Sequence, residues 1–119
     1  MANLLIADDD DNLRTLMCRA LQADGHTVSD ASDGALAMAR FEANGAIDVL
    51  ITDIEMPAGD GVTLATSAAA MKPDLNVILI SGYAEALARS GEIRARRVET
   101  LAKPFALEKL RELVLQIVG

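Results

Sequence analysis

The sequence predicts an α/β domain of the (βα)₅ type, in which helices cover both faces of a doubly wound parallel sheet. Short apolar runs alternate with segments of helical periodicity along all 119 residues. The connections between these segments are short, as in parallel strands joined by crossover helices. The central run, Ile47–Thr52, is apolar at nearly every position, which is typical of a strand covered on both faces. The length is that of one domain, so we expect residues 1–119 to form a single unit.

Five segments have strand character, and each precedes a segment with helical character, the order that parallel strands require. The second is the least apolar, which predicts a position at the edge of the sheet. The predicted strands are Asn3–Ala7, His26–Ser29, Ile47–Thr52, Asn76–Ile80 and Val98–Ala102.

The first two helices are predicted from amphipathic spacing. The first is capped by Asp11 and ends at Gly25, and the second is capped by Ser32 or Asp33 and runs to about Ala43. The expected buried face of the first helix consists of Leu13, Leu16, Met17, Ala20 and Leu21. That of the second consists of Leu36, Ala39 and Phe41 or Ala43.

The other three helices differ in character. The third, Val62–Met71, is rich in alanine, follows a turn and cap at Asp60-Gly61, and is closed by Pro73. Residues 84–97 contain few large apolar side chains, which predicts a short or mobile fourth helix. The last helix is strongly amphipathic. Its expected buried residues are Leu107, Leu110, Val114 and Ile117.

Composition and charge argue against several classes of function. The formal net charge is −7, whereas a nucleic-acid-binding domain would show a basic surface. One cysteine and one histidine allow neither an intrachain disulfide nor a zinc site of His and Cys ligands. No apolar run approaches the roughly 18 residues of a membrane span, and the first residues show no basic segment before a hydrophobic one, the pattern of a secretory signal. We therefore expect a soluble cytoplasmic protein that binds neither nucleic acid nor membrane.

Polar residues follow four of the predicted strands. Asp8 and Asp9 follow the first strand, and Asp53 follows the third. Ser81 follows the fourth strand and Lys103 the fifth. Open α/β sheets bind ligands at this edge, and clustered carboxylates repel one another unless a cation neutralises them. The arrangement could therefore hold a hard divalent cation against a phosphoryl group.

These residues lie within motifs that resemble the receiver domain of bacterial two-component response regulators. Each motif is weak alone, but their combination at the correct strand ends is specific. The resemblance covers the whole chain, and it implies a flavodoxin-like five-stranded sheet of order 2-1-3-4-5 and a cis peptide bond before Pro104. The motifs are Asp8-Asp9, Asp53 with Met56-Pro57 and Asp60-Gly61, Ser81-Gly82, and Lys103-Pro104-Phe105.

The resemblance also implies a role for each site residue. Asp53 would be the phosphoacceptor, attacking the phosphoryl group of a phosphohistidine donor. Lys103 and Ser81 would each contact a phosphoryl oxygen. Mg²⁺ would be the cofactor, since this ion prefers hard oxygen ligands. Its implied ligands are the side chains of Asp8, Asp9 and Asp53 and the backbone carbonyl of Glu55.

One position departs from the family pattern. Many receivers carry an aromatic switch residue on the fifth strand, where this chain has Thr100. A threonine cannot swing a ring inward to fill space. We therefore expect Tyr83, or a shift of residues 82–97, to carry part of the response to phosphorylation.

The expected function is that of a single-domain response regulator in a two-component phosphorelay, which signals by protein–protein contact and is not a dedicated enzyme. Its expected donor is a histidine kinase or a histidine phosphotransferase. Its target is an unidentified protein. A protease or adaptor system is the candidate, because the chain also resembles stand-alone receivers that serve as phosphorylation-controlled protease adaptors.

Three alternatives stay open. The chain could be a receiver domain excised from a hybrid histidine kinase, although Met1 directly before the first strand favours a native short protein. A phosphatase with an aspartyl nucleophile would use Glu55 as its second acid, but the chain has no room for a substrate-covering cap. A flavodoxin-like cofactor binder is disfavoured, because the loops after the strands lack a phosphate-cradling run.

Overall fold

The sheet of this protein has five parallel strands, and the computed structural model describes residues 1–119. Their order, β2-β1-β3-β4-β5, confirms the arrangement that the resemblance implies. The prediction that β2 is an edge strand is also confirmed. The strands are β1 (Asn3–Ala7), β2 (Thr27–Ala31), β3 (Val49–Asp53), β4 (Asn76–Ser81) and β5 (Arg97–Ala102).

Two strands lie one or two residues later than the sequence predicts. β2 continues to Ala31, because Asp30 and Ala31 pair with Ile6 and Ala7 of β1. β3 includes Asp53, which pairs with Ile80 of β4. Backbone pairing with the neighbouring strand, rather than side-chain polarity, therefore sets where these strands end.

The helices lie on both sides of the sheet, and the fourth is short, as predicted. It contains one turn and continues into a short 3₁₀ helix, Ala88–Glu92. None of the helices combines the length and the apolar character that a bilayer span requires. The helices are α1 (Asp11–Ala23), α2 (Gly34–Ala43), α3 (Gly61–Met71), α4 (Ala84–Leu87) and α5 (Leu107–Val118).

The prediction that Asp11 caps α1 is wrong, because Asp10 is the cap. Asp10 has an extended backbone, and its carboxylate accepts a hydrogen bond from the Leu13 amide at 3.1 Å. Asp11 lies in the first turn, where its negative charge is favourable, and it pairs with Arg14 at 2.8 Å. For α2 the cap is Asp33, whose carboxylate accepts from the Leu36 amide at 2.7 Å.

The buried faces of α1 and α2 are narrower than their apolar spacing predicts. Leu16 of α1 and Leu36 of α2 are 49% and 37% exposed. On α1 the fully buried residues are one turn apart, namely Met17 and Leu21. The buried stripe of α2 is Gly34, Ala37 and Phe41, so Ala39 and Ala43 point outward.

The difference between the predicted and the observed buried face of α2 has a local cause at Gly34. A Cβ atom there would collide with the backbone of Ala58 and Gly59. The Gly34 amide also donates to the Pro57 carbonyl at 3.3 Å. Close packing of this helix against the loop after β3 thus selects which face of α2 is buried.

The core consists of two aliphatic layers, one on each face of the sheet. Successive residues of a strand point to opposite faces, so Leu50 packs with α2 and α3 whereas Ile51 packs with α1 and α5. The single cysteine, Cys18, is half-buried against the second layer, and this burial raises the pKa of its thiol to about 11. Cys18 is therefore protonated near neutral pH, which fits a packing role.

Truncation of the central strand should destabilise the whole domain. Leu50 is fully buried in β3, and we expect Leu50→Ala to lower the free energy of unfolding by about 2–5 kcal/mol. Urea unfolding monitored by circular dichroism measures this change. The matched control is Leu115→Ala on α5, where the leucine is 65% exposed and the expected change is within about 0.5 kcal/mol. Similar losses in the two variants would contradict the assignment of the core.

Candidate functional site

The carboxyl ends of β1, β3, β4 and β5 meet at one edge of the sheet. Ala7 pairs with Thr52, so Asp8 and Asp53 follow neighbouring positions on adjacent strands. Ser81 pairs with Ala102, which places Lys103 beside the end of β4. The Lys103 amide donates to the Ser81 carbonyl at 2.9 Å and extends this contact beyond the strands. Strand register alone therefore brings these polar side chains together.

Three carboxylates form a compact cluster at this edge. Asp8 and Asp53 are buried and Asp9 is exposed, and one oxygen from each lies within 4.8 Å of the others. Two of the buried oxygens, Asp8 Oδ2 and Asp53 Oδ1, accept no hydrogen bond. Buried carboxylate oxygens without donors are costly, and carboxylates are the ligands that hard divalent cations prefer. The cluster could therefore hold a metal ion.

Lys103 is the only cationic residue that forms an ion pair with these carboxylates. Its Nζ lies 3.3 Å from Asp53 Oδ2 and 3.8 Å from Asp8 Oδ2. The peptide bond between Lys103 and Pro104 is cis, in agreement with the resemblance. Burial lowers the pKa of Lys103, but the charges of Asp8 and Asp53 outweigh it, so the net shift is upward. One ammonium group faces three carboxylates, and the site keeps an excess of negative charge.

Burial and crowding both disfavour the ionised form of the acids. Burial is the largest influence on Asp53 and the Asp8 charge the next, and together they raise its pKa to about 6 despite the opposing effect of Lys103. The pKa of Asp8 is also raised by burial, although the Asp10 amide, which donates to Asp8 Oδ1 at 2.9 Å, opposes the shift. A cation at this edge would favour the ionised form of both carboxyl groups and so oppose the upward shift of their pKa values.

Ser81 has a partner that the sequence did not reveal. Its hydroxyl donates to the Glu55 carboxylate, with oxygen–oxygen distances of 2.9 and 3.0 Å. The same hydroxyl oxygen accepts a hydrogen bond from the Tyr83 amide at 3.0 Å. Glu55 is predicted to act through its backbone carbonyl, so this side-chain contact is an addition to the predicted site. No sequence motif signals it, because it depends on how the loop after β3 turns.

The two predicted switch positions lie at the periphery of the site. Tyr83 is 63% exposed and precedes α4, and its amide rather than its ring contacts Ser81. Thr100 is exposed on the edge strand β5. Their part in a response to phosphorylation stays a prediction.

Two residues outside the predicted set shape the backbone around Asp53. The Thr52 hydroxyl, fully buried, donates to the Asp53 carbonyl at 2.8 Å. A Cβ atom on Gly61 would collide with the same carbonyl, and the Gly61 amide donates to the Ile54 carbonyl at 2.8 Å.

The Asp60-Gly61 motif is predicted only as a turn and cap. Asp60 does cap α3, and its carboxylate accepts from the Thr63 amide at 2.9 Å. The glycine in addition permits close packing of α3 behind Asp53.

Comparison with known protein families identifies one match over nearly the whole chain. A sequence model described as the response regulator receiver domain matches residues 4–115. The chain is 35% identical over 110 residues to the response regulator receiver protein CpdR of Brucella abortus, and the alignment covers 92% of this chain and 91% of CpdR.

Similar sequences also occur within longer proteins. The chain is 39% identical over 111 residues to the sensor kinase CckA of Brucella abortus, which covers 92% of this chain but only 12% of the kinase. It spans between 23% and 46% of the length of several transcriptional regulators that it also matches.

Solved structures share the fold over almost the full length. The receiver domain of the hybrid histidine kinase CckA superimposes with a TM-score of 0.83 at 35% identity, covering 98% of this chain and 99% of that domain. The response regulator TrrA of Thermotoga maritima, solved in complex with Mg²⁺ and beryllofluoride, gives a TM-score of 0.85 at 29% identity. That match covers 99% of this chain and 100% of TrrA.

The raised pKa of Asp53 predicts a stability that depends on pH. The folded-state value of about 6 exceeds the ordinary 3.8, so the folded protein binds a proton more tightly than the unfolded chain. Stability should therefore fall as the pH rises from about 4 to about 6. Asparagine at position 53 cannot ionise, so Asp53→Asn avoids this fall in stability. In EDTA, which removes divalent cations, we expect this variant to have a free energy of unfolding roughly 2–3 kcal/mol higher than wild type at about pH 7.5.

Urea unfolding at a series of pH values measures this difference. The gain should shrink as the pH falls below about 6 and approach zero below the ordinary value of 3.8, where the carboxyl group is protonated in both the folded protein and the unfolded chain. Asp74→Asn, which removes an exposed carboxylate from the turn between α3 and β4, should show no such pH-dependent gain. Equal stability of wild type and Asp53→Asn at neutral pH would contradict the buried, crowded environment of Asp53.

Proposed function

The chain belongs to the response regulator receiver domain family, and we propose that it accepts a phosphoryl group on Asp53 from a phosphohistidine donor in a Mg²⁺-dependent reaction. The observation that carries this proposal is the cluster of Asp8, Asp9 and Asp53 with Lys103 at a single sheet edge. The donor would be a histidine kinase or a histidine phosphotransferase.

Asp53 has the environment of a carboxylate nucleophile. In the proposed step its carboxylate oxygen forms a bond to phosphorus while the bond from phosphorus to the donor imidazole nitrogen breaks, and the nitrogen keeps the electron pair. The product is an acyl phosphate on Asp53. Phosphoryl transfer requires positioning and charge neutralisation more than covalent chemistry. Thr52 and Gly61 meet the first requirement, since both pack on the Asp53 backbone.

The residues present fit Mg²⁺. Asp8, Asp9 and Asp53 would supply side-chain oxygens, and we propose the backbone carbonyl of Glu55 as a further ligand. The buried oxygens Asp8 Oδ2 and Asp53 Oδ1 support this assignment, because neither accepts a hydrogen bond. When bound, the ion would neutralise charge on the carboxylates and on the incoming phosphoryl oxygens.

Lys103 and Ser81 are the proposed phosphoryl contacts. Lys103 Nζ already lies 3.3 Å from Asp53 Oδ2, so its ammonium group can reach an oxygen attached to that carboxylate as a point charge. Ser81 is fully buried at the end of β4 and carries a hydroxyl donor. Contacts from both residues to phosphoryl oxygens would stabilise the phosphorylated product.

We propose that the output is a protein–protein contact and not a dedicated catalytic activity. The near-complete alignment with CpdR supports a stand-alone receiver, and the match to CckA keeps the receiver of a longer kinase as the alternative. A protease or adaptor system is the proposed kind of target. TrrA, which was solved in complex with Mg²⁺ and beryllofluoride, supports the proposal that this chain also binds Mg²⁺ together with a phosphoryl group.

Phosphorylation should depend on Asp53 alone. We expect wild-type protein treated with a small phosphoryl donor such as phosphoramidate and Mg²⁺ to gain one phosphoryl group that hydroxylamine removes, as an acyl phosphate does. Asp53→Asn should gain none, whereas Asp74→Asn should match wild type. Intact-protein mass spectrometry measures all three. An acyl phosphate that persists on Asp53→Asn would refute the assignment of the phosphoacceptor.

Mg²⁺ binding should depend on the exposed acid of the cluster. Asp9 makes no hydrogen bond or ion pair through its side chain, so Asp9→Asn changes a ligand with little cost to the fold. We expect this variant to bind Mg²⁺ roughly tenfold or more weakly than wild type in calorimetric titrations. Asp74→Asn has the same change in charge and should bind normally. An unchanged affinity in Asp9→Asn would place the ion elsewhere.

A further inference from the structure

The single proton of the Ser81 hydroxyl already has an acceptor in this structure. A hydroxyl has one proton to donate and two lone pairs that can accept. In Ser81 the proton points to the Glu55 carboxylate, and the Tyr83 amide occupies an acceptor position. A phosphoryl oxygen on Asp53 would need the same single proton. It can obtain that proton only if Glu55 gives it up.

Of the two partners, Glu55 is the one that can leave. Ser81 is held by its pairing with Ala102 and by the Lys103 amide on its carbonyl. Glu55 is exposed in the loop after β3, forms no ion pair, and has Ser81 as its only side-chain hydrogen-bond partner. A charge-assisted hydrogen bond to a carboxylate is stronger than a neutral one, so the contact favours the unphosphorylated arrangement.

We propose that the Glu55 carboxylate competes with the phosphoryl group for the Ser81 hydroxyl, so that phosphorylation of Asp53 releases Glu55 from Ser81. The proposal rests on the proposed function, because it requires a phosphoryl group on Asp53. No covalent bond changes in this exchange. The proton stays on Ser81 and only its acceptor differs.

Repulsion between the Glu55 carboxylate and negative charge at Asp53 also favours release of Glu55. After burial and the charge of Asp8, the charge of Glu55 also contributes to the raised pKa of Asp53, so the two carboxylates sense each other. A phosphoryl group adds negative charge and strong acceptor oxygens. It would therefore both attract the Ser81 proton and repel Glu55. Release of this exposed side chain would change the surface of the loop after β3 in the phosphorylated form.

A double-mutant cycle on beryllofluoride affinity tests the competition. The variants are Glu55→Ala, Ser81→Ala and the double variant, compared with wild type in calorimetric titrations at saturating Mg²⁺. Alanine at position 55 keeps the backbone carbonyl that is the proposed metal ligand. We expect Glu55→Ala to raise the affinity about tenfold when Ser81 is present, since it frees a hydrogen bond to a charged group. Without Ser81 the gain should be several times smaller, because only the charge repulsion is relieved.

Two further variants make the cycle specific. Glu55→Gln retains an oxygen acceptor without the charge and should lie between wild type and Glu55→Ala. Glu112→Ala removes one exposed carboxylate from α5, away from the site, and should not change the affinity. Equal gains from Glu55→Ala with and without Ser81 would overturn the competition while leaving the phosphoacceptor assignment intact. Failure of wild type to bind beryllofluoride would overturn the proposed function and the competition with it.

A structure of the loaded wild-type protein gives an independent test. In a crystal with Mg²⁺ and beryllofluoride on Asp53, we expect the Ser81 hydroxyl to contact a fluorine atom and the Glu55 carboxylate to lie beyond hydrogen-bond distance. A Ser81–Glu55 hydrogen bond that persists in that complex would contradict the proposal.

Discussion

Uncompensated negative charge at one edge of the sheet is the constraint on which the rest of the site depends. Two of the three acids are buried, and the single ammonium group of Lys103 cannot neutralise them all. Such a cluster is unfavourable in a protein that only needs to fold. A divalent cation would make the cluster favourable, and in the proposed function that cation would also attract a phosphoryl group. The repulsion among these carboxylates and the chemistry that we propose for them thus have the same origin.

A well-packed core lies beneath this cluster and holds the strands that carry it. β1, β3 and β4 are buried between two aliphatic layers, so their carboxyl ends cannot separate to relieve the repulsion. Thr52 and Gly61 fix the backbone at the central acid from behind. By contrast, the segment after β4 consists of a single α-helical turn and a 3₁₀ turn. Neither turn contains a buried residue, and a segment with few buried contacts has low local stability.

Alternation of apolar and helical segments was sufficient to predict the parallel sheet, because buried strands carry a strong signal in their side chains. The motifs at the strand ends likewise predicted which acids would meet, since register in a parallel sheet fixes neighbours. Features that depend on tertiary packing were not predictable. Asp10 rather than Asp11 caps α1, and Leu36 points outward because Gly34 packs against the loop after β3. The contact between Glu55 and Ser81 joins the loop after β3 to the last residue of β4, and no local pattern relates these two positions.

The most direct test of this account is the location of a divalent cation in the protein. Crystals soaked with Mn²⁺ in place of Mg²⁺ would reveal the ion by its anomalous scattering. The account predicts one peak, in contact with carboxylate oxygens of Asp8, Asp9 and Asp53. A peak on another acidic surface, or no peak beside these residues under conditions that saturate the protein, would contradict it.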